Sequence, residues 1–128
     1  DKVSLSEVRR VLPQGGLLVI DVFNGEYLAL KYRGQSNSTN EKDYPSFILQ
    51  QKRNISDSGD WLCDSWTIRD KETLQISSFE HKVRLYDRDK LRSLLEGAGF
   101  RGNRVFGGYG GENFGVDFPR LIFLAVTE

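Results

Sequence analysis

Several common features are scarce or missing in this sequence. It has one cysteine, Cys63, which excludes an internal disulfide framework and a cysteine-based zinc site. It has one histidine, His81, which excludes any arrangement that needs a second imidazole. Neither sign of charge is in excess: Lys plus Arg and Asp plus Glu are each 18, for a net charge of zero. That balance argues against a basic nucleic-acid binder and against a surface held to anionic lipid by charge. No apolar run approaches the roughly 20 residues of a bilayer span. The longest, residues 16–20 and 121–126, have the length of buried strands. There is no methionine, the first residue is Asp1, and no charged segment leads into an apolar one as in a signal peptide. The start therefore reads as mid-chain, a fragment of something longer, and a reducing cytoplasm is the simplest compartment.

What remains is 128 residues with 38% hydrophobic and 12% aromatic content, enough for one domain with a modest core. Leu5, Val8, Val11 and Leu12 recur at helical spacing, and Ser4 with Glu7 has the form of a capping box. Pro13-Gln14-Gly15-Gly16 stops that helix. Leu17 to Val22 is apolar on both faces apart from Asp21, which predicts a central strand of a parallel sheet. Asn24 is placed to cap a short helix from Glu26 to Arg33, ended by Gly34. Residues 35–45 read as polar loop. Three strands follow, at 46–55, 61–68 and 73–86. In the last of these Leu74 and Ile76 differ in parity from Phe79, Val83 and Leu85, which predicts a bulge near Ser77-Ser78. Asp87 begins a further helix with Leu91, Leu94, Leu95 and Ala98 on one stripe and Gly99 as its stop. Residues 104–106 and 120–127 read as a closing hairpin around a glycine-rich loop.

Little in this pattern carries chemistry. Glycines that cradle phosphate lie between a strand and a helix, whereas those at 107–115 are followed by Pro119 and a strand; a hairpin loop is the better reading. His81 alternates with Phe79 and Val83 as a packed or half-exposed strand histidine. Cys63 has nothing basic beside it and reads as packing. The sequons at Asn37 and Asn54 lack a secretory context. Asp21 interrupts an apolar strand near its carboxyl end, where open α/β sheets bind ligands, and is either satisfied by a helix N-terminus or aimed at a ligand. Arg84 and Tyr86, at the end of the long strand, have as their plain reading an Arg paired with Glu80 or Asp87 and a half-buried Tyr.

Three segments nevertheless carry a family resemblance. Leu5-Ser6-Glu7-Val8-Arg9-Arg10-Val11-Leu12-Pro13-Gln14-Gly15-Gly16-Leu17-Leu18-Val19-Ile20 resembles the L-x-E-x-x-R-V-L-x-P-G-G-x-L-L-I segment of class I S-adenosylmethionine-dependent methyltransferases, which leads into and forms their fifth strand. Pro13-Gln14 departs from it, since the family has the proline one place later. His81-Lys82-Val83-Arg84-Leu85-Tyr86, with Leu91, Leu94-Leu95 and Ala98-Gly99-Phe100, is similar to the family's R-x-Y-x-x-x-E-L-x-x-L-L-x-x-A-G-F. Residues 118–125 look like its closing strand. The family's cofactor loop, D-x-G-x-G-x-G, is not in this chain.

The resemblance implies an α/β fold: the last strands and helices of a Rossmann-like methyltransferase sheet, the C-terminal part of the domain over residues 1–128. Residues 35–80 would be inserted as a three-stranded antiparallel cap. It implies an intact enzyme that uses S-adenosylmethionine on a small-molecule acceptor, with no cofactor bound by this chain alone and no catalytic residue secure. Phe23, Asn24, Arg84, Tyr86 and Tyr109 would contact the substrate. No nucleic acid or membrane is expected as a partner; a second copy, or the missing N-terminal half, is. The rival reading is a non-enzymatic β-rich module whose sheet over 46–86, with Trp61, Trp66 and Phe79, binds a ligand or partner.

Overall fold

The computed structural model describes residues 1–32 and 38–128. They form two compact units, residues 1–28 with 86–128 and residues 29–85.

The first unit opens with α1 (Lys2–Val11). Its backbone starts a turn earlier than the capping-box reading has it: Leu5 N already bonds Asp1 O at 3.0 Å, which places Asp1 at the cap with no side-chain bond. Ser4 therefore lies inside the helix, and Glu7 instead accepts from Arg10 Nε at 2.9 Å. The helix ends as expected. Leu12, ahead of Pro13, is extended (φ −85°, ψ 135°) because the proline ring disfavours helical geometry in its predecessor. Gly15 then takes φ +75°, and a side chain on Gly16 would meet the Pro13 carbonyl at 2.8 Å.

After that turn comes β1 (Leu17–Phe23), which passes through Asn24 into α2 (Gly25–Tyr32). The Asn24 cap is present, while Arg33, Gly34 and residues 35–37 lie outside the described residues. Later in the chain α3 (Arg88–Gly97) is capped by Asp87, whose carboxylate accepts from Lys90 N at 2.7 Å. Gly99, at φ +88°, turns the chain into β6 (Phe100–Phe106), and β7 (Arg120–Thr127) returns antiparallel to it. The hairpin is longer than residues 104–106 suggested, because a register shift between Arg101 and Arg104 hides the pairing of Phe100 with Thr127.

The sheet order is β1-β7-β6. Among the described residues β1 has one strand partner, β7, and that partner is antiparallel, so the strand expected at the centre of a parallel sheet stands at an edge. One of its faces (Leu18, Ile20, Val22) packs with Leu121, Phe123 and Ala125 of β7 against Leu5 of α1 and Leu91 and Leu95 of α3. The other carries Leu17, Val19, Asp21 and Phe23, with Val19 56% exposed.

The second unit is a four-stranded antiparallel sheet in the order β2-β3-β4-β5, formed by β2 (Ser38–Asp43), β3 (Phe47–Ile55), β4 (Trp61–Asp70) and β5 (Ile76–Arg84). The sheet expected to have three strands thus has four, since most of the expected loop at 35–45 is a strand. A polar edge strand and a polar loop have the same composition, and only pairing tells them apart. β5 also differs from expectation. Its register with β4 runs without a shift from Trp61↔Arg84 to Arg69↔Ile76, so there is no bulge at Ser77-Ser78. Leu74 breaks the alternation because it lies in the preceding turn at φ 61°. That turn is held by Asp70, whose carboxylate accepts from Thr73 N at 2.8 Å and Glu72 N at 2.9 Å; those bonds keep it below its ordinary pKa.

Candidate functional site

At the carboxyl end of β1 the first unit gathers four of the five expected contact residues. Asn24 is wholly buried. Its Oδ1 accepts from Glu26 N at 3.1 Å and Tyr27 N at 3.4 Å, which caps α2. Its Nδ2 donates to Gly115 O at 3.0 Å and Phe118 O at 2.9 Å, which ties down the far end of the glycine-rich loop. Asn24 is also bridged to Tyr86, whose carbonyl accepts from Gly25 N at 3.0 Å and whose hydroxyl donates to the Asp1 carboxylate. With each of its groups engaged, Asn24 positions the loop and the helix around it.

Asp21 is the electrostatic centre. Its Oδ1 accepts from Arg120 Nε and its Oδ2 from Tyr109 OH, both at 2.7 Å. Burial pushes its carboxyl up, but the bonds from Arg120 and Tyr109 and the nearby guanidinium charge outweigh it and leave the carboxyl below its ordinary value. The bond to Asp21 in turn raises the Tyr109 phenol, since a phenolate would face the carboxylate. Arg120 also lies over the Phe23 ring, 4.9 Å from its centroid. Tyr109, at the tip of the loop, is 78% exposed even so, presenting a ring fixed at its hydroxyl end. Sequence reasoning singled out Asp21 without its partners. Arg120 was missed, and the signal for it was the β1–β7 register that sets it opposite Phe23.

Arg84 belongs to the second unit, where its guanidinium lies over the Trp61 ring at 4.7 Å. The structure thus assembles Phe23, Asn24, Tyr86 and Tyr109, and places Arg84 in the other unit. That unit holds a cluster the sequence did not single out: buried Asp64 with Arg53 and His81. An acid inside the apolar pattern of β4 was its signal.

The starts of α2 and α3 and the glycine-rich loop do not fit an S-adenosylmethionine cradle. The amides at the start of α2 and α3 are taken by the side chains of Asn24 and Asp87. Side chains at Gly108 and Gly110 would meet the Glu112 carboxylate at 2.6 Å, so this loop encloses an acid rather than an open row of donors. Among the described residues, no group of His, Cys, Asp and Glu side chains could hold a metal ion, and no helix is long and apolar enough to cross a membrane.

No family model and no curated protein matches the chain. Solved structures do. An S-adenosylmethionine-dependent methyltransferase from Clostridium acetobutylicum ATCC 824 is similar over 98% of this chain, with TM-score 0.77 and 18% identity. The CcbJ methyltransferase from Streptomyces caelestis is similar over 99%, with TM-score 0.76 and 13% identity. The sugar N-methyltransferase KedS8 from Streptoalloteichus sp ATCC 53650 is similar over 100%, with TM-score 0.63 and 16% identity. The chain spans 50% of the length of each. Its fold is that of half a methyltransferase chain, consistent with a C-terminal half.

Proposed function

We propose that this chain is the acceptor-side part of an S-adenosylmethionine-dependent methyltransferase acting on a small molecule. The observation that carries the reading is the likeness of nearly the whole chain to half of such enzymes, joined to motifs at both ends of the sequence. In this reading the cofactor is held by a glycine-rich strand–loop–helix outside residues 1–128, which fits the engaged helix amides seen here. Phe23 and Tyr109 offer rings to the acceptor, Tyr86 offers its phenol, and Asn24 keeps the loop in place. The protein works in the cytoplasm and pairs along β1, either with a cofactor-binding half or with a second copy of this chain.

Calorimetric titration of S-adenosylmethionine tests this. The 128-residue chain is expected to give no micromolar one-to-one signal. The chain extended by the coding sequence that precedes Asp1 is expected to give one. Silence from the extended protein would sink the reading in favour of a non-enzymatic binding module.

A further inference from the structure

Arg120, at the head of β7 opposite Phe23, is held from two directions. Its Nε donates to Asp21 Oδ1 at 2.7 Å, and its guanidinium lies over the Phe23 ring. An arginine beside a carboxylate commonly spends a second N–H on the other oxygen, as Arg53 does on Asp64. Here Tyr109 OH occupies Oδ2, so Nη1 and Nη2 of Arg120 have no hydrogen-bond partner among the described residues. Arg10, Arg88 and Arg101 also pair through Nε, but their acids, Glu7, Asp89 and Glu128, are exposed side chains that fix no direction. The Asp21 side chain is only 25% exposed, while that of Arg120 is 36% exposed. Arg120 is thus a fork of fixed direction with donors still to spend.

Tyr109 supplies the neighbouring group. Asp21 is ionised and can only accept, so the phenol proton is committed to it and the phenol oxygen is left to accept. That ring is exposed, which puts the oxygen within reach of a ligand. A donor fork and an acceptor oxygen therefore flank one carboxylate, one at each of its oxygens. Their complement is a molecule with an oxyanion and, close by, an N–H or O–H. Charge selects the oxyanion. Asp21 already balances Arg120, and the Glu112 carboxylate packs against Gly108 and Gly110 on either side of Tyr109. Two acids around one guanidinium oppose a phosphate dianion more than a carboxylate monoanion.

We infer that Arg120 reads a carboxylate on the methyl acceptor, and that the acceptor is an amino or hydroxy acid. The carboxylate takes the Nη1 and Nη2 edge of Arg120, and an amino or hydroxyl group of the same molecule donates to Tyr109 Oη. Asp21 is a positioning residue that fixes both partners. The inference rests on the reading that this end of β1 receives a small-molecule acceptor, and it gives that reading a substrate class.

Serine, ethanolamine and phosphoethanolamine test this, because they share an amino group and carry a carboxylate, no oxyanion and a phosphate respectively. In NMR titrations of the 128-residue chain, serine is expected to move the Arg120 Nε–H and Tyr109 amide signals along one saturating curve. Ethanolamine should leave both in place, and phosphoethanolamine should bind more weakly than serine. Arg120→Lys keeps the charge without the fork and should weaken serine about tenfold, which removes its advantage over ethanolamine. Tyr109→Phe should weaken serine about threefold yet keep that advantage, a split that a merely structural role would not give. If Arg120→Lys fails to fold, the three probes on the parent chain still decide. Equal responses to serine and ethanolamine, tighter binding of phosphoethanolamine, or an unchanged serine affinity in Arg120→Lys would overturn the proposal. No measurement here needs S-adenosylmethionine. Serine selectivity beside a failed cofactor titration of the extended chain would remove the methyltransferase reading alone, and the reverse would remove this site alone.

Discussion

The two units solve the problem of staying folded differently. The first buries Phe100, Phe123, Leu95 and Leu121 completely or nearly so between a sheet and two helices. The second buries only Leu62 and Leu85 among its described apolar residues, and its most buried charged group is Asp64, clasped by Arg53. Apolar burial is the larger stabilising term, at about 25 cal/mol per Å². The second unit relies more on strand pairing and on an ion pair whose attraction must offset its own desolvation. The first unit is therefore expected to fail when volume is removed, and the second when charge is unbalanced.

The largest effect should come from Phe123→Ala, which empties the centre of the first core and is expected to cost about 4 kcal/mol. Urea unfolding measures the loss, and amide exchange locates it. Protection lost across β6 and β7 but kept in β3 and β4 would sharpen the comparison; protection lost equally in both would break it.

That core was the part most legible in the sequence. Leu91, Leu94, Leu95 and Ala98 have a period that only a helix satisfies, and Gly99 has the one conformation that stops it. Legibility failed where the deciding partner is distant. Thr39, Asn40, Glu41 and Lys42 are polar enough for any loop and become β2 only through pairing with β3. Leu74 looks like strand until Asp70 curls the turn around it. The same holds for the site. Asp21 is conspicuous on its own strand, but Arg120 and Tyr109 reach it from 99 and 88 residues away. Asp64 gains its meaning only when β3 and β5 flank it.

Arg53→Met is expected to destabilise the second unit by about 3 kcal/mol, because it leaves the Asp64 carboxylate buried without its partner. Arg53→Met with Asp64→Leu should recover most of that loss, since two apolar groups need no mutual compensation. Thermal unfolding of the three variants decides the matter. A double variant no better than the single would mean that the pair contributes more than its own neutralisation.

In the first unit the polar counterpart is Asn24, and Asn24→Ala is expected to cost about 2 kcal/mol by removing a helix cap and two bonds to loop carbonyls. Asn24→Ser keeps an acceptor for the cap without the amide, and should recover part of the loss. Proteolysis within 107–115 would report the untethered loop, faster in both variants than in the parent.

Smaller still is the pH dependence tied to Asp21. Its carboxyl titrates below the ordinary value in the folded chain. Its stabilisation is accordingly present above the unfolded pKa of about 4 and lost as pH falls through the lowered folded value. The difference in melting temperature between the parent and Asp21→Asn should therefore be constant near neutrality and shrink in acid. Tyr109→Phe removes one of the two bonds and should show a smaller acid-sensitive difference.

The smallest effect on stability is expected at Val19, and it probes what the first unit leaves uncovered. Val19 lies mid-strand in β1, yet its side of the sheet is not the one α1 and α3 cover. Beside it runs a strand edge with no partner among the described residues. An apolar edge of this kind is a template for a further strand, and zero net charge gives little long-range repulsion between copies. Val19→Lys buries nothing new within the chain, so its unfolding free energy should stay within about 0.5 kcal/mol of the parent. Its association should change far more, because a lysine placed against a pairing strand must be desolvated. Sedimentation at micromolar concentration is expected to show the parent chain self-associated and Val19→Lys shifted toward monomer. A parent that stays monomeric would mean that this edge does not pair with a second copy. A large loss of stability in Val19→Lys would mean that the face is covered within the chain, and the contrast between a packed and an open side of the first sheet would fall.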